Sequence, residues 1–104
     1  MKPLPQNGNL KELQEYIKEM EQERGFASQS IHEQFMKLLE ECGELAKSAK
    51  HQLKHPENKT IQEETAHETA DVFIYLLSIA NRLGVNIEKA LQEKEKINET
   101  RTWN

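Results

Sequence analysis

The chain has 104 residues, which predicts a single domain, because one hydrophobic core usually serves roughly 100–150 residues. Only 36% of the residues are hydrophobic and 31% are charged, so we expect one modest core. Fourteen Lys and Arg against eighteen Asp and Glu give a net charge of −4, which opposes a phosphate-binding face and argues against generic nucleic-acid binding.

The first residues predict a flexible tail and no export signal. Residues 1–8 contain Pro3, Pro5 and Gly8 and lack the apolar run of a secretion signal. Cys42 is the single cysteine, so no internal disulfide is expected and a reducing cytoplasm is the expected location. The longest apolar run, residues 72–80, has about half of the roughly 20 residues that span a bilayer, so no membrane association is expected.

Residues 9–104 are predicted to form one all-α domain that resembles a four-helix bundle. Gly and Pro are scarce, and the stretches between them are rich in Glu, Lys, Leu, Gln and Ala. A short polar residue followed three positions later by Glu is typical of a helix start, and Asn86 after Gly84 marks a further start. The predicted helices span residues 9–23, 30–54, 60–83 and 86–101, with capping patterns at Asn9…Glu12, Ser30…Glu33 and Thr60…Glu63.

The second helix carries one narrow apolar stripe. Its members recur at alternating spacings of four and three, which predicts that they face a core. They are Ile31, Phe35, Leu38, Cys42, Leu45 and Ala49. Glu40 lies opposite this stripe and is expected on the surface, whereas Glu41 lies at its border. Glu44 follows Glu41 by one turn, so both can lean toward the same neighbouring helix.

The third helix is apolar nearly all round over residues 72–80. This pattern predicts a central helix that is buried on several sides. A lone chain with so few apolar residues could cover such a helix only with difficulty, so we expect a homo-oligomer.

Directly before that run, Glu68 and Asp71 repeat the acidic spacing of the second helix. An ionised carboxylate beside an apolar run costs several kcal/mol unless it is paired or bound to a metal. No Lys or Arg lies between Lys59 and Arg82 along the chain. Oxygen ligands alone favour Mg²⁺ or Mn²⁺ over zinc, which prefers His or Cys. The alternative that spacing leaves open is ion pairing with Lys or Arg of other helices.

A di-iron carboxylate site is not expected. Such bundles need an E-x-x-H pair on each of two helices. Among the four histidines only His67 has a Glu three residues earlier, at Glu64. His67 is therefore expected to be a surface histidine.

Three segments in order resemble the MazG-like nucleotide pyrophosphohydrolases of the all-α NTP pyrophosphatase superfamily. They are residues 38–45 (LLEECGEL), residues 68–76 (ETADVFIYL) and residues 94–101 (KEKINETR), and the resemblance runs from about residue 31 to residue 101. Each motif alone is weak, but three in the same order make a specific pattern.

The resemblance implies an activity and a set of site residues. In that family, four carboxylates hold Mg²⁺ ions that bind a nucleoside triphosphate, and they fall here on Glu41, Glu44, Glu68 and Asp71. The closing K-x-x-x-N-x-x-R figure, whose Lys and Asn approach phosphate or sugar, falls on Lys94, Asn98 and Arg101. Tyr75 matches a tyrosine of several relatives, and Phe26 and His32 lie before and at the start of the second helix, where pocket residues can originate.

The implied reaction is hydrolysis of a triphosphate to the monophosphate and pyrophosphate, and a deoxyribonucleotide is the expected substrate. Members are generally homodimers or homotetramers whose sites borrow residues across the interface. Relatives specific for cytosine carry Trp around the base, whereas the single Trp103 lies beyond the last motif, so the base preference stays open.

Two other functions remain alternatives at this point. One is a non-enzymatic helical interaction module, in which the same carboxylates form salt bridges to a partner. The other is an enzyme like phosphoribosyl-ATP pyrophosphohydrolase, which shares the superfamily. A requirement for Mg²⁺ separates the enzyme from the interaction module.

Overall fold

Four α-helices form the fold in residues 1–101, the part of the chain that this computed structural model describes, and no β-strand lies in that part. They are α1 (Leu10–Glu23), α2 (Ile31–Lys54), α3 (Lys59–Leu83) and α4 (Ile87–Glu99). The all-α prediction is confirmed, and every predicted helix boundary agrees to within two residues.

Three of the four predicted helix starts use the expected capping residue. At α1 the Glu12 amide donates to the Asn9 side chain over 2.8 Å, and the Asn9 amide donates back to the Glu12 carboxylate. The Ser30 hydroxyl accepts from the Glu33 amide, and the Asn86 side chain caps α4 in the same way. These bonds satisfy amides that a helix leaves unpaired.

The predicted start of the third helix at Thr60 is wrong. Helix α3 begins at Lys59, and Asn58 is its cap, because the Asn58 side chain accepts the Ile61 amide over 3.1 Å. Asn at this position satisfies an orphan amide of the first turn, that of Ile61, without the Glu that the Thr60…Glu63 pattern required. At the other end, α4 stops at Glu99 and not at residue 101.

The buried core lies where α1 crosses α3. Ile17 and Met20 of α1 pack against Leu77 of α3, and Leu77 is only 2% exposed. Partly buried apolar side chains surround these three residues: Leu13, Tyr16, Ile74 and Ile87. The core therefore depends on α1, α3 and the start of α4.

A single carboxamide, that of Gln14 on α1, joins three elements. Its nitrogen donates to the Asn81 side chain over 3.1 Å and to the Val85 carbonyl over 2.7 Å. Its oxygen accepts the amide of Ile87 at the start of α4 over 3.0 Å. The turn between α3 and α4 contains Gly84 at φ 69°, a left-handed conformation that suits glycine. Gln14 thus fixes the start of α4 relative to α1.

Helices α2 and α3 pack along each other through polar as well as apolar side chains. The Ser48 and Thr65 hydroxyls lie 2.8 Å apart, and the Ser78 hydroxyl donates to the Gln34 side chain over 3.3 Å. Such bonds satisfy polar groups that the contact between the helices buries.

The prediction that the whole apolar stripe of α2 faces a core is wrong for two of its members. Phe35 and Cys42 are exposed, whereas Leu38 and Leu45 are half-buried. The face of α2 that meets α3 instead contains polar residues such as Gln34, and this turns Phe35 and Cys42 away from α3.

Large apolar side chains remain uncovered on α2 and α3. We call this set, defined by exposure alone, the exposed apolar face: Phe35, Met36 and Leu39 of α2, and Phe73 and Leu76 of α3. Leu39 is 67% exposed. The predicted burial of α3 on several sides is therefore incomplete within one chain. The accessible surface of 8061 Å² exceeds the about 6000 Å² typical of a compact monomer of this mass.

The described residues contain no single helix that is long and apolar enough to cross a bilayer; α3 and α4 meet the length and composition criteria only as a pair bent by 96°.

Candidate metal centre and the adjoining pocket

Three of the predicted carboxylates come together where α2 meets α3. Glu41, Glu68 and Asp71 each offer an oxygen atom, and these three oxygens lie within 4.8 Å of one another. All three side chains are half-buried. The i,i+3 spacing on α3 puts Glu68 and Asp71 on one face, and Glu41 approaches that face from α2.

The electrostatics of this carboxylate cluster favour a bound cation. Partial burial, the adjacent Glu68 carboxyl group and the charge of Asp71 raise the pKa of Glu41 above its ordinary value, with a smaller effect from Glu40. The Oε2 atom of Glu68 is buried and has no hydrogen-bond partner within the described residues. An unpaired buried carboxylate oxygen is costly, and a hard divalent cation removes that cost.

The alternative of ion pairs with other helices is not realised in residues 1–101. The ion pairs of that segment involve Glu21, Glu23, Glu40 and Glu93, and none involves a member of the carboxylate cluster. The donor set of carboxylate oxygens fits Mg²⁺ or Mn²⁺.

Glu44 does not join the carboxylate cluster. It lies on α2 one turn beyond Glu41, and its side chain is exposed. His67 is also exposed and lies outside the cluster, as expected for a surface histidine.

A pocket of about 380 Å³ adjoins the carboxylate cluster, and Asp71 belongs to both. Two predicted residues, Tyr75 of α3 and Phe26 of the loop between α1 and α2, line this pocket together with Lys37. Its volume falls in the range of small-molecule sites, and its aromatic and aliphatic walls are typical of them. The remaining lining residues are Met20, Glu21, Arg24, Gln29, Gln34, Ile74 and Ser78.

The guanidinium of Arg82 supports the wall of this pocket. It forms an ion pair of 2.7 Å with Glu21 and donates to the Ser78 hydroxyl on its own helix. It also donates to the Phe26 carbonyl over 3.0 Å and to the Gln29 carbonyl over 3.2 Å. Arg82 therefore joins α3 to α1 and to the loop that closes the pocket.

The same network extends to the base of the pocket. The Ser78 hydroxyl donates to the Gln34 carboxamide, whose nitrogen donates to the Gln29 side chain over 2.6 Å. The sequence did not predict this network, because its bonds between different elements join residues 44 or more positions apart. The available signals were Ser78 inside an otherwise apolar run and Arg82 one turn after it.

The closing motif lies apart from the pocket within one chain. Lys94 and Arg101 are exposed, and Asn98 is half-buried with an Oδ1 atom that has no hydrogen-bond partner among the described residues. None of the three lines the pocket, since α4 packs against α1. His32 is exposed at the start of α2 and does not line the pocket either. Trp103 lies outside the described residues.

Comparison with known proteins finds one informative similarity. A protein of Cyanophage S-2L described as a dATP/dGTP diphosphohydrolase is 39% identical over 70 residues, which are 64% of this chain and 52% of that protein. The chain thus spans about half the length of that relative. No protein-family model matches the chain. No solved structure matches it.

Proposed function

We propose that the chain is a Mg²⁺-dependent nucleoside triphosphate pyrophosphohydrolase that cleaves (d)NTP to (d)NMP and pyrophosphate. The observation that carries the proposal is the sharing of Asp71 between the carboxylate cluster and a pocket of about 380 Å³. This arrangement joins a cation site to a cavity that a nucleoside can fill, so a triphosphate would lie at the carboxylates and its base in the pocket.

The similarity to the cyanophage protein supports a nucleotide substrate. That relative is described as acting on dATP and dGTP. Because the similarity covers 52% of that protein, it supports the general kind of activity. We propose deoxyribonucleoside triphosphates as the substrate class.

Glu41, Glu68 and Asp71 are the proposed metal ligands, with Glu44 available one turn further along α2. Mg²⁺ is the proposed ion, and Mn²⁺ is the alternative. When bound, such an ion neutralises the triphosphate charge and activates water for attack. Without it the acidic cluster would repel the substrate.

Side chains of this chain accept a proton and contact the nucleoside in the proposed reaction. A carboxylate of Glu41, Glu44 or Glu68 accepts the proton of the attacking water, whose oxygen bonds to the α-phosphorus. The bond from the α-phosphorus to the bridging oxygen breaks, and pyrophosphate leaves. Tyr75 and Phe26 flank the nucleoside, since both line the pocket.

We propose that a second copy of the chain covers the exposed apolar face, in a homodimer or homotetramer. The surface of 8061 Å² exceeds that of a compact monomer by about 2000 Å² for one chain, more than the about 800 Å² per partner of a standard interface and within the range of obligate homodimers. In such an assembly Lys94, Asn98 and Arg101 can reach phosphate or sugar in a neighbouring copy. A cytoplasmic location and a role in cleansing the nucleotide pool complete the proposal.

The decisive experiment measures pyrophosphate release from a panel of canonical and modified nucleotides, with Mg²⁺ and with a chelator. We expect pyrophosphate release in the presence of Mg²⁺ and none in the presence of the chelator. Thermal melting separates the enzyme from an interaction module, because Mg²⁺ and a non-hydrolysable nucleotide together should raise the melting temperature of the enzyme. No release from any nucleotide and no such rise would refute the proposed activity.

A further inference from the structure

The carboxamide of Gln34 lies at the base of the pocket and is held in one orientation. The side chain is 2% exposed, as is Ser78, its partner on α3. Its Oε1 accepts from the Ser78 hydroxyl over 3.3 Å, and its Nε2 donates to Gln29 Oε1 over 2.6 Å. The Gln34 oxygen therefore has a hydrogen-bond donor, and the Gln34 nitrogen has a hydrogen-bond acceptor.

Arg82 sets the direction of this chain of hydrogen bonds. A guanidinium can donate but cannot accept, so the Ser78 hydroxyl accepts from Arg82, and in the structure it donates its own hydrogen to Gln34. Gln34 thus presents its oxygen to Ser78 and its NH₂ group to Gln29, and its side chain lines the pocket.

The result is a pocket whose base presents donors. The Gln34 nitrogen carries two hydrogens, and Gln29 uses one of them. Gln29 accepts that bond with its oxygen, so its own NH₂ group is also available at the pocket. The two carboxylates that line the pocket are engaged elsewhere, since Glu21 pairs with Arg82 and Asp71 belongs to the carboxylate cluster.

We propose that this pocket selects nucleotides whose base is a 6-oxopurine, and that Gln34 is the residue that determines this specificity. The inference rests on the proposed function, because it assigns the base subsite of the same site. Guanine and hypoxanthine present adjacent O6 and N7 acceptors, which match donors from Gln34 and Gln29. Adenine and cytosine present an amino group at the position of O6, and this donor would face a donor of the pocket.

The size and walls of the pocket agree with a purine. A volume of about 380 Å³ accommodates two fused rings, and Phe26 and Tyr75 offer aromatic surface beside them. Thymine accepts at O4 but lacks the N7 acceptor, so it satisfies fewer of the donors.

The first test uses the unmodified protein and compares kcat/KM for dGTP, dITP, dATP and 7-deaza-dGTP with Mg²⁺. We expect dGTP and dITP to exceed dATP by at least about tenfold, the effect of one well-placed hydrogen bond. The 7-deaza analogue keeps O6 and loses the N7 acceptor, and we expect an intermediate value.

The second test replaces Gln34 by Met, which keeps the length of the side chain and removes its donors. We expect Gln34→Met to lower kcat/KM for dGTP by about tenfold, mainly through KM, and not to lower kcat/KM for dATP, because the variant no longer opposes a donor to the adenine amino group. Gln52→Met is the matched control, because Gln52 is half-buried on the same helix and does not line the pocket. The Gln52→Met variant should leave the ratio of kcat/KM for dGTP to kcat/KM for dATP unchanged.

The outcomes separate this inference from the proposed function. Pyrophosphate release at equal kcat/KM from dGTP and dATP by the unmodified protein would overturn the specificity and leave the activity intact. A preference for dGTP that survives in folded Gln34→Met would overturn the assignment to Gln34. If Gln34→Met does not fold, the comparison of dGTP, dITP and dATP in the unmodified protein still decides the base class. No release from any nucleotide would remove both the activity and this inference.

Discussion

The carboxylate of Glu21 lies 2.7 Å from the guanidinium of Arg82, and this ion pair joins α1 to α3 at the edge of the core. The two side chains are 9% and 16% exposed. Because the same guanidinium holds the Phe26 and Gln29 carbonyls, the ion pair and the pocket wall depend on one residue.

We expect Arg82→Ala to lower the free energy of unfolding by about 3–5 kcal/mol, because it leaves a largely buried carboxylate without its partner. Urea denaturation measures the change. Lys89→Ala is the control, since Lys89 forms an exposed ion pair with Glu93 at 4.0 Å, and it should cost less than about 0.5 kcal/mol. Equal losses in the two variants would contradict a structural role of the Arg82 ion pair.

Asp71→Asn should abolish pyrophosphate release and leave the fold intact or more stable. The change removes one charge from three carboxylates within 4.8 Å of one another and also removes a proposed metal ligand. Turnover at saturating Mg²⁺ and thermal melting measure the two effects. Glu40→Gln is the control, because Glu40 is exposed and pairs with Lys37. The activity of this variant should be close to normal. Near-normal turnover by Asp71→Asn would contradict the site assignment.

The raised pKa of Glu41 predicts how the stability of the metal-free protein depends on pH. The folded chain retains a proton that the unfolded chain releases above about pH 4.3, so this stabilising contribution is complete at lower pH and is lost as the pH rises through the raised pKa. With a chelator present, the melting temperature of the unmodified protein should fall as the pH rises through the raised pKa. The melting temperature of the Glu41→Gln variant should fall less over the same pH range. Identical pH profiles for the two proteins would argue against carboxylate crowding.

Mg²⁺ should oppose that loss of stability at neutral pH, because the carboxylates must be ionised to bind it. The melting temperature of the unmodified protein should therefore rise on addition of Mg²⁺ more than that of Glu41→Gln.

Two substitutions on α3 separate assembly from folding. Leu76 belongs to the exposed apolar face and is 43% exposed, whereas Ile79 is buried. Leu76→Asp should reduce the sedimentation mass and leave the helical signal unchanged, while Ile79→Asp should unfold the chain. A 12.1 kDa species for the unmodified protein at micromolar concentration would refute the oligomer.

The closing motif is tested by Lys94→Ala and Asn98→Ala. If Lys94 reaches a phosphate, its loss should reduce kcat/KM about ten- to hundred-fold, or roughly 1.5–3 kcal/mol, with little change in stability. Asn98→Ala should behave similarly and can alter the discrimination between ribose and deoxyribose. Lys96 lies about 200° around the helix from Lys94 and is the control. Equal kinetics for Lys94→Ala and Lys96→Ala would show that α4 does not contact the substrate.

The spacing of charged residues along the chain predicted the central part of the candidate site. Glu68 and Asp71 share a helical face because they are one turn apart, and Glu41 lies at the border of the apolar stripe of α2. Glu44 shares the spacing but lies outside the carboxylate cluster, since the rotation of α2 exposes it. Helical periodicity gives the angle between two residues and leaves the rotation of the whole helix undetermined.

The pocket network could not be predicted in the same way. Gln34 and Ser78 are 44 positions apart, and their contact depends on how far α2 slides along α3. Local sequence patterns do not contain that register. The cap at Asn58 was missed for a different reason, because an isolated Asn without a following Glu is a weaker signal than Thr60…Glu63.

The bonds of Gln14 have a consequence for the order in which the chain folds. Helices α2 and α3 are connected by four residues and can pair early, because closing a short loop costs little entropy. The contacts of Gln14 with Asn81, Val85 and Ile87 span 67 to 73 positions, so they form only after the α2–α3 hairpin has brought the two ends of the chain together. The first and last helices should therefore join the folding nucleus in one late step, and mutations at Gln14 should accelerate unfolding more than they slow folding.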